Sequence, residues 1–322
     1  MSFARIRGQE KAIEYLARAL TDGSLAHAYL FAGPAGVGKT TTALNFAKAI
    51  LCPSRSVHEP CDRCSSCRRI DSMSHPDVMV LAPSKTASGV SIEQIREMIR
   101  VVSLKPFEAA KKVCIVEKAD AMTPQASNAL LKTLEEPAED SIIIVIASSA
   151  RALVPTIVSR CHIIRFFPMA YADAEKVLTQ EYAFKESEAY YLAHLASGRI
   201  GEAIRLRESG AYEKRNTIID SLIRREPNLY DQAADMPESL DAEMILDISL
   251  SWFRDLAIAK TGSDERLLFN IDKKGEIARQ AAGEDLERLH ESIGSILALK
   301  ASLKAKANPK LVLGVLSATI MN

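Results

Sequence analysis

Apolar positions along the first half of this chain recur with two alternating periods. Ala12, Ile13, Leu16, Ala17 and Leu20 return every three to four residues, the spacing of one helix face. Tyr29-Leu-Phe31 is an uninterrupted short run that reads as a buried strand, and Ala43, Leu44, Ala47 and Ile50 resume helical spacing. Strand-like runs follow at Asp77-Val-Met-Val-Leu81, Val113-Cys-Ile-Val116, Ser141-Ile-Ile-Ile-Val-Ile146 and His162-Ile-Ile-Arg-Phe166. Between them lie two helices with start signals. Ser91 and Gln94 form a capping box ahead of Ile92, Ile95, Ile99 and Val102. Thr123 caps, and Pro124 opens, a helix through Ala126, Ala129, Leu130 and Leu134 that stops at Glu135-Glu136-Pro137. Five short apolar strands separated by helices predict a parallel, doubly wound α/β domain reaching to about Pro168.

Past Pro168 the strand-like runs cease and helical periodicity is continuous. Tyr171 to about Arg207 predicts short helices with a turn at Ser197-Gly198, and the Glu/Arg-rich stretch Arg207–Arg215 marks the next boundary. Long amphipathic patterns follow, with Ile245, Ile248 and Trp252 on one face and Leu286, Leu289, Ile293, Ile296 and Lys300 on another. These stripes are bundle core, and a surplus of them serves helix contacts with partner chains. The implied division is residues 1–168, 169–208 and 209–322.

Composition narrows the setting. With 322 residues, 48% hydrophobic and 25% charged, the chain can bury several cores. No run approaches the roughly eighteen apolar residues of a membrane span, and the first residues lack the apolar centre of a signal peptide. A cytosolic protein with no membrane partner is expected. Lys+Arg and Asp+Glu stand at 41 each, so contact with DNA requires a local patch. The basic run Lys300–Lys310 is a candidate patch, although a solvated helix face is the simpler account of it.

The densest chemistry lies between the first strand and the second helix. Gly33-Pro34-Ala35-Gly36-Val37-Gly38-Lys39-Thr40 matches G-x-x-x-x-G-K-[ST] in full, a phosphate-binding P-loop. The glycines let backbone N–H groups turn inward at phosphate oxygens. Lys39 is placed for the β- and γ-phosphates, the Thr40 hydroxyl for Mg²⁺, and the helix beginning near Thr41 adds its positive end. A glycine-rich turn with a coincidental Lys-Thr is the competing account.

Cys52, Cys61, Cys64 and Cys67 cluster within sixteen positions. With no export signal, thiols or metal ligands are expected rather than disulfides. Four thiols suit a closed tetrahedral Zn²⁺ site, structural rather than catalytic. A redox Cys-x-x-Cys leaves two of the cysteines unexplained, and an iron–sulfur pattern wants a further Cys before a Pro. Cys114, within a strand, reads as core.

At the exit of the third strand an ATP hydrolase needs an Asp for the Mg²⁺ shell and a Glu to polarise water. This chain has Glu117 and then Lys118, and a cation cannot act as that base. Ser148 and Ser149 sit where the fourth strand would face a nucleotide, or serve as turn residues. Taken alone, Arg160 is an ordinary solvated arginine.

With these residues in place, the chain resembles the bacterial DNA polymerase III clamp-loader subunits, a family of AAA+ proteins, and among its branches delta-prime. The likeness rests on His27-Ala-Tyr-Leu-Phe31, the P-loop, the four-Cys insertion, Asn128-Ala-Leu-Leu-Lys-Thr-Leu-Glu-Glu-Pro137 and Ser159-Arg160-Cys161. The resemblance implies an AAA+ P-loop domain with an inserted zinc module, a small helical lid and an all-α collar that joins a pentameric ring. It further implies gamma/tau and delta subunits as partners, and the loading of a sliding clamp onto primed DNA. In that family the Arg of Ser-Arg-Cys acts in trans, as an arginine finger in a neighbour's ATP site, which makes Arg160 the catalytic candidate. The implied nucleotide-binding set is Gly33 through Thr41 with Glu117.

The chain departs from the gamma/tau motors at Glu117-Lys118 and at Gly201, where those motors carry a lid Arg; Arg199 is a possible substitute. Delta-prime members often lack a working P-loop, whereas this chain keeps one. The expectation is a stator that binds ATP with little turnover. The alternatives are a gamma/tau-type motor, favoured by the intact P-loop, and a stand-alone zinc-stabilised P-loop ATPase, which leaves Ser159-Arg-Cys161 unexplained.

Overall fold

Five strands, β1 (Ala28–Ala32), β2 (Val78–Leu81), β3 (Lys112–Val116), β4 (Ser141–Ala147) and β5 (His162–Arg165), form one parallel sheet in the order β2-β3-β4-β1-β5. All five coincide with the apolar runs of the sequence. The structure, a computed structural model, describes residues 3, 6–83, 89–224 and 239–321. It divides into two compact units, Met1–Pro168 and Met169–Asn322.

In the first unit both sheet faces are covered, which is why the strands read as unbroken apolar runs. Alternation along each strand sends Tyr29, Phe31, Ile115, Ile142, Ile144 and Ile146 to one face. There they meet α1 (Glu10–Thr21) and α2 (Lys39–Leu51). Leu30, Cys114, Val116, Ile143 and Val145 face the other way, toward α4 (Ile92–Val102), α5 (Pro124–Glu135) and the single turn α6 (Pro155–Val158). Cys114 is packed in that core, where burial pushes its thiol up to about 12. β5 is buried on one side only: Ile164 is buried while His162, Ile163 and Arg165 are exposed, because β5 is an edge strand.

Both predicted helix starts form. Ser91 Oγ accepts from Gln94 N–H at 3.3 Å while Gln94 Oε1 accepts from Ser91 N–H at 2.9 Å. Thr123 Oγ1 accepts from Ala126 N–H at 3.2 Å. A short helix unforeseen from periodicity, α3 (Ser65–Asp71), lies inside the Cys-rich excursion; at 7 residues it is too brief for a repeating stripe.

The second unit is helical: α7 (Tyr171–Tyr182), α8 (Glu186–Leu195), α9 (Ile200–Glu208), α10 (Ala211–Arg224), α11 (Ser239–Lys260), α12 (Lys274–Gly283), α13 (Leu286–Lys304) and α14 (Pro309–Met321). One hydrophobic cluster runs from Ala174 to Leu316 and includes the fully buried Trp252. The Glu/Arg-rich stretch after Arg207 is occupied by the end of α9, a two-residue turn at Ser209-Gly210 and the start of α10. Arg215, fully buried, binds Asp272 through both terminal nitrogens, at 3.0 and 2.6 Å, and stacks 4.4 Å above the Tyr191 ring. In the basic run, Lys300 is paired with Asp247. Among the described residues, no helix is long and apolar enough to cross a membrane.

Candidate functional site

The P-loop leaves β1 at the carboxyl edge of the sheet. Gly33 N–H donates to Ala147 O of β4 at 3.2 Å, so the loop starts level with the end of β4, where Ser148 follows. Glu117 follows β3 on the same edge, and its N–H donates to Leu81 O at 2.8 Å. The edge gathers these groups because β1 lies between β4 and β5 while its chain successor β2 is at the far side, a crossover that opens a crevice at the strand ends.

Local backbone geometry then shapes the loop. Gly36 and Gly38 have φ of 81° and 94°, in the left-handed region that favours glycine. Gly33 is required for a different reason: a Cβ there would come within 2.4 Å of the Phe166 carbonyl oxygen. Ala35 and Gly36 form the turn, with Ala35 exposed, and Val37 anchors the loop in the α1/α2 core. α2 begins at Lys39 with Gly38 as its N-cap, two residues earlier than the expected start near Thr41, so Lys39, Thr40 and Thr41 all lie in its first turn. Unbonded N–H groups and the helix dipole are thus aimed at one place, a ready anion site.

Lys39 is 8% exposed, and its Nζ donates to the carbonyls of Gly33 at 2.5 Å and Pro34 at 2.6 Å. Burial lowers its pKa, against which the charge of Asp120 acts. Ser148 Oγ donates to that same Asp120 at 2.6 Å. Asp120 and Ser148 therefore form an acid–hydroxyl pair within electrostatic reach of the P-loop lysine. Lys118 is exposed and adopts φ 47°, a left-handed backbone for a residue with a side chain.

The four cysteines come together at the far end of α2. Cys52 caps its C-terminus, Cys64 caps the N-terminus of α3, Cys67 lies inside α3, and Cys61 is between. All four sulfurs lie within 4.8 Å of one another, and Cys52 Sγ is 3.9 Å from Cys64 Sγ. A tetrahedron with metal–sulfur bonds of about 2.3 Å has edges of about 3.8 Å, so the group fits such an ion. The N–H groups of Cys61, Cys64 and Cys67 point at the sulfurs of Cys52, Cys61 and Cys64 at 3.3 to 3.4 Å. N–H groups of Arg63 and Cys64 hold the Cys61 thiol down at about 6, while burial raises those of Cys52 and Cys67. Among the described residues the group contains only these four; His75 is turned away, toward Ser66 and Glu108.

Arg160 follows α6 and precedes β5. Its Nη1 donates to Thr156 O at 2.9 Å and its Nη2 lies 2.7 Å from Glu135 Oε1. His162 of β5 pairs with Tyr29 of β1, so Arg160 lies beyond the amino end of the strands. The P-loop starts four residues past Tyr29 at the opposite edge, at least roughly 13 Å of strand away. The structure therefore brings the P-loop, Glu117 and Ser148 to one edge and leaves Arg160 at the other. In the second unit, Arg199 N-caps α9, with its Nε donating to Ala196 O at 2.7 Å, and Gly201 lies in that helix.

Asp120 and Glu135 went unassigned from sequence, because nothing in their local pattern announces a partner twenty-odd residues away.

The family described as "DNA polymerase III, delta subunit" matches residues 8–170, and "DNA polymerase III, delta subunit, C terminal" matches residues 209–316. DNA polymerase III subunit delta' of Bacillus subtilis is 31% identical over 311 residues, covering 93% of this chain and 92% of that protein. The Pseudomonas aeruginosa subunit delta' is 34% identical over 199 residues, 61% of this chain and 60% of its own length. Subunit tau of Bacillus subtilis is 39% identical over 159 residues, 49% of this chain but 28% of that protein. Among solved structures, a gamma subunit-related protein of Thermotoga maritima has a TM-score of 0.51 at 18% identity, covering 96% of this chain and 98% of that one, a likeness of fold.

Proposed function

Since the chain belongs to the DNA polymerase III delta-subunit family of clamp-loader subunits, related to delta' and gamma/tau, we propose that it is the stator of a clamp-loading ring. In this role it supplies Arg160 to the ATP site of a neighbouring subunit and turns over little ATP itself. The observation that carries the proposal is the position of Arg160 at the amino edge of the sheet, opposite its own P-loop. A guanidinium there cannot reach phosphates held by Gly33–Lys39, yet it is 34% exposed and available to another chain. In a neighbour's site its cation offsets charge developing on the γ-phosphate.

The P-loop supports binding of ATP with Mg²⁺: backbone N–H groups of Gly33–Gly38 for the phosphates, Lys39 for charge, Thr40 and Glu117 for the metal shell, and Thr41 in the same helical turn. Lys118 supports weak hydrolysis, since a cation follows Glu117 where a base is needed. Cys52, Cys61, Cys64 and Cys67 would hold a structural Zn²⁺, tying the excursion to the end of α2. A lid at 169–208 and a collar at 209–322 are the proposed division of the helical unit. Leu297, Leu311 and Val315, exposed on α13 and α14, support collar contact with gamma/tau and delta subunits. The sliding clamp and primed DNA are the ring's proposed substrates, and the cytoplasm its setting.

The test is Arg160→Ala in the reconstituted ring. Folding and assembly persist, and hydrolysis at the site the arginine serves falls by roughly 10³-fold. Unchanged turnover there would sink the proposal. The intact P-loop favours one rival, a gamma/tau-type motor. Steady ATP turnover by the isolated chain, abolished by Lys39→Ala, would establish that rival.

A further inference from the structure

The segment Leu134-Glu135-Glu136-Pro137 does nothing for the P-loop or the cysteine cluster, and its first carboxylate is placed against helix energetics. Glu135 is the last residue of α5 and Glu136 its C-cap, so two negative side chains meet the negative end of the dipole. A lysine or arginine would suit that position better. Glu135 instead binds Arg160, twenty-five residues later, at 2.7 Å. The pair is half exposed, with the two side chains 48% and 34% accessible, so it contributes little to stability.

We propose that Glu135 is a positioning residue for Arg160, a role that rests on the reading of Arg160 as an arginine finger. α6 is one turn long and cannot by itself orient a side chain as mobile as arginine. Thr156 O and, at 3.4 Å, Ser159 Oγ accept from Nη1, and Glu135 Oε1 accepts from Nη2. Acceptors on two different elements hold both terminal nitrogens and so define the guanidinium plane, while the side chain, 34% exposed, stays accessible to an outside ligand. The ordering cost is met before the neighbour's phosphate arrives, which is what preorganisation contributes to a transition state.

The experiment uses the reconstituted ring containing full-length chain as wild type, Glu135→Ala, Glu135→Gln, Arg160→Ala and Glu135→Ala/Arg160→Ala, with ATP turnover followed on primed DNA. Glu135→Ala lowers kcat by roughly ten- to a hundred-fold, with KM for ATP and ring assembly unchanged. Glu135→Gln keeps the acceptor oxygen and stays within about three-fold of wild type, a rescue that a charge role would not show. In the Arg160→Ala background, Glu135→Ala adds nothing. If Arg160→Ala reduces turnover but Glu135→Ala does not, or reduces it equally without Arg160, positioning is overturned and the finger stands. A rise in kcat in Glu135→Ala overturns positioning in favour of a restraining latch. A silent Arg160→Ala overturns the finger, and the positioning role with it.

Discussion

Lys48, on the P-loop helix and 1% exposed, holds Asp71 at the end of α3 at 3.0 Å. The same ammonium lies 2.5 Å from Asp62, so one buried cation joins the α2 scaffold to both sides of the cysteine excursion. Burial opposes that charge, and the hydrogen bonds to Asp62 and Asp71 outweigh the penalty, leaving the pKa raised. With a raised folded pKa, this stabilisation is full below the unfolded value and is lost only as alkaline pH passes the folded one. Lys48→Met should lower unfolding free energy by about 2–3 kcal/mol at pH 7, because the buried ammonium that binds both Asp62 and Asp71 is removed. Asp71→Asn should cost less than about 1 kcal/mol, since Asp71 is half exposed and Asp62 remains. Urea denaturation of the three proteins decides it; equal stability would show the junction to be held elsewhere.

Asp77, 2% exposed, accepts N–H groups from Phe107 at 2.6 Å, Glu108 at 2.9 Å and Ala109 at 3.0 Å. Burial raises its pKa, but those three donors prevail and the carboxyl is depressed. A depressed acid stabilises above its unfolded value, about 3.9, and its contribution is lost as pH falls through the folded value. His75, depressed by burial despite Glu108, works in the same direction from its unfolded value near 6.5 downward. Asp77→Asn should lose about 1–3 kcal/mol at pH 7 and show a flatter stability profile below pH 4. Identical acid profiles for the two proteins would refute the assignment.

The thiols of the cysteine cluster differ in reactivity by position. Purified protein should carry about one equivalent of zinc, and Cys64→Ser should carry none. After chelation, iodoacetamide should label Cys61 first, because its depressed thiol is a thiolate at neutral pH, and Cys67 last, because it is buried and raised. Mass spectrometry of timed samples gives the order. Elemental analysis finding no metal in the wild type would end the zinc assignment.

Lys39→Ala should weaken ATP binding by this chain at least about ten-fold, through loss of a buried charged donor. Titration of a fluorescent nucleotide measures this. Turnover by the assembled ring should stay near wild type, since a stator's own site is not where hydrolysis occurs. A ring that stops hydrolysing would make this chain a motor.

Much of this protein is legible locally. The five strands, the capping box at Ser91, the Thr123 N-cap, the P-loop and the Cys spacing depend on residues within a few positions of one another, so periodicity and motif suffice to find them. That Gly33 is needed because Phe166 passes within reach of any Cβ, and that β5 is an exposed edge, are facts of strand order, and strand order follows from pairing between segments more than a hundred residues apart. The same strand order puts Arg160 at the sheet edge opposite its own P-loop, and packing between successive helices sets it against Glu135 and brings Lys48 to Asp71. The sequence by itself determined which chemical groups the chain carries and which family it joins. Only the tertiary structure decided which of them meet, because a side chain's partner is set by how the sheet closes and not by its neighbours in sequence.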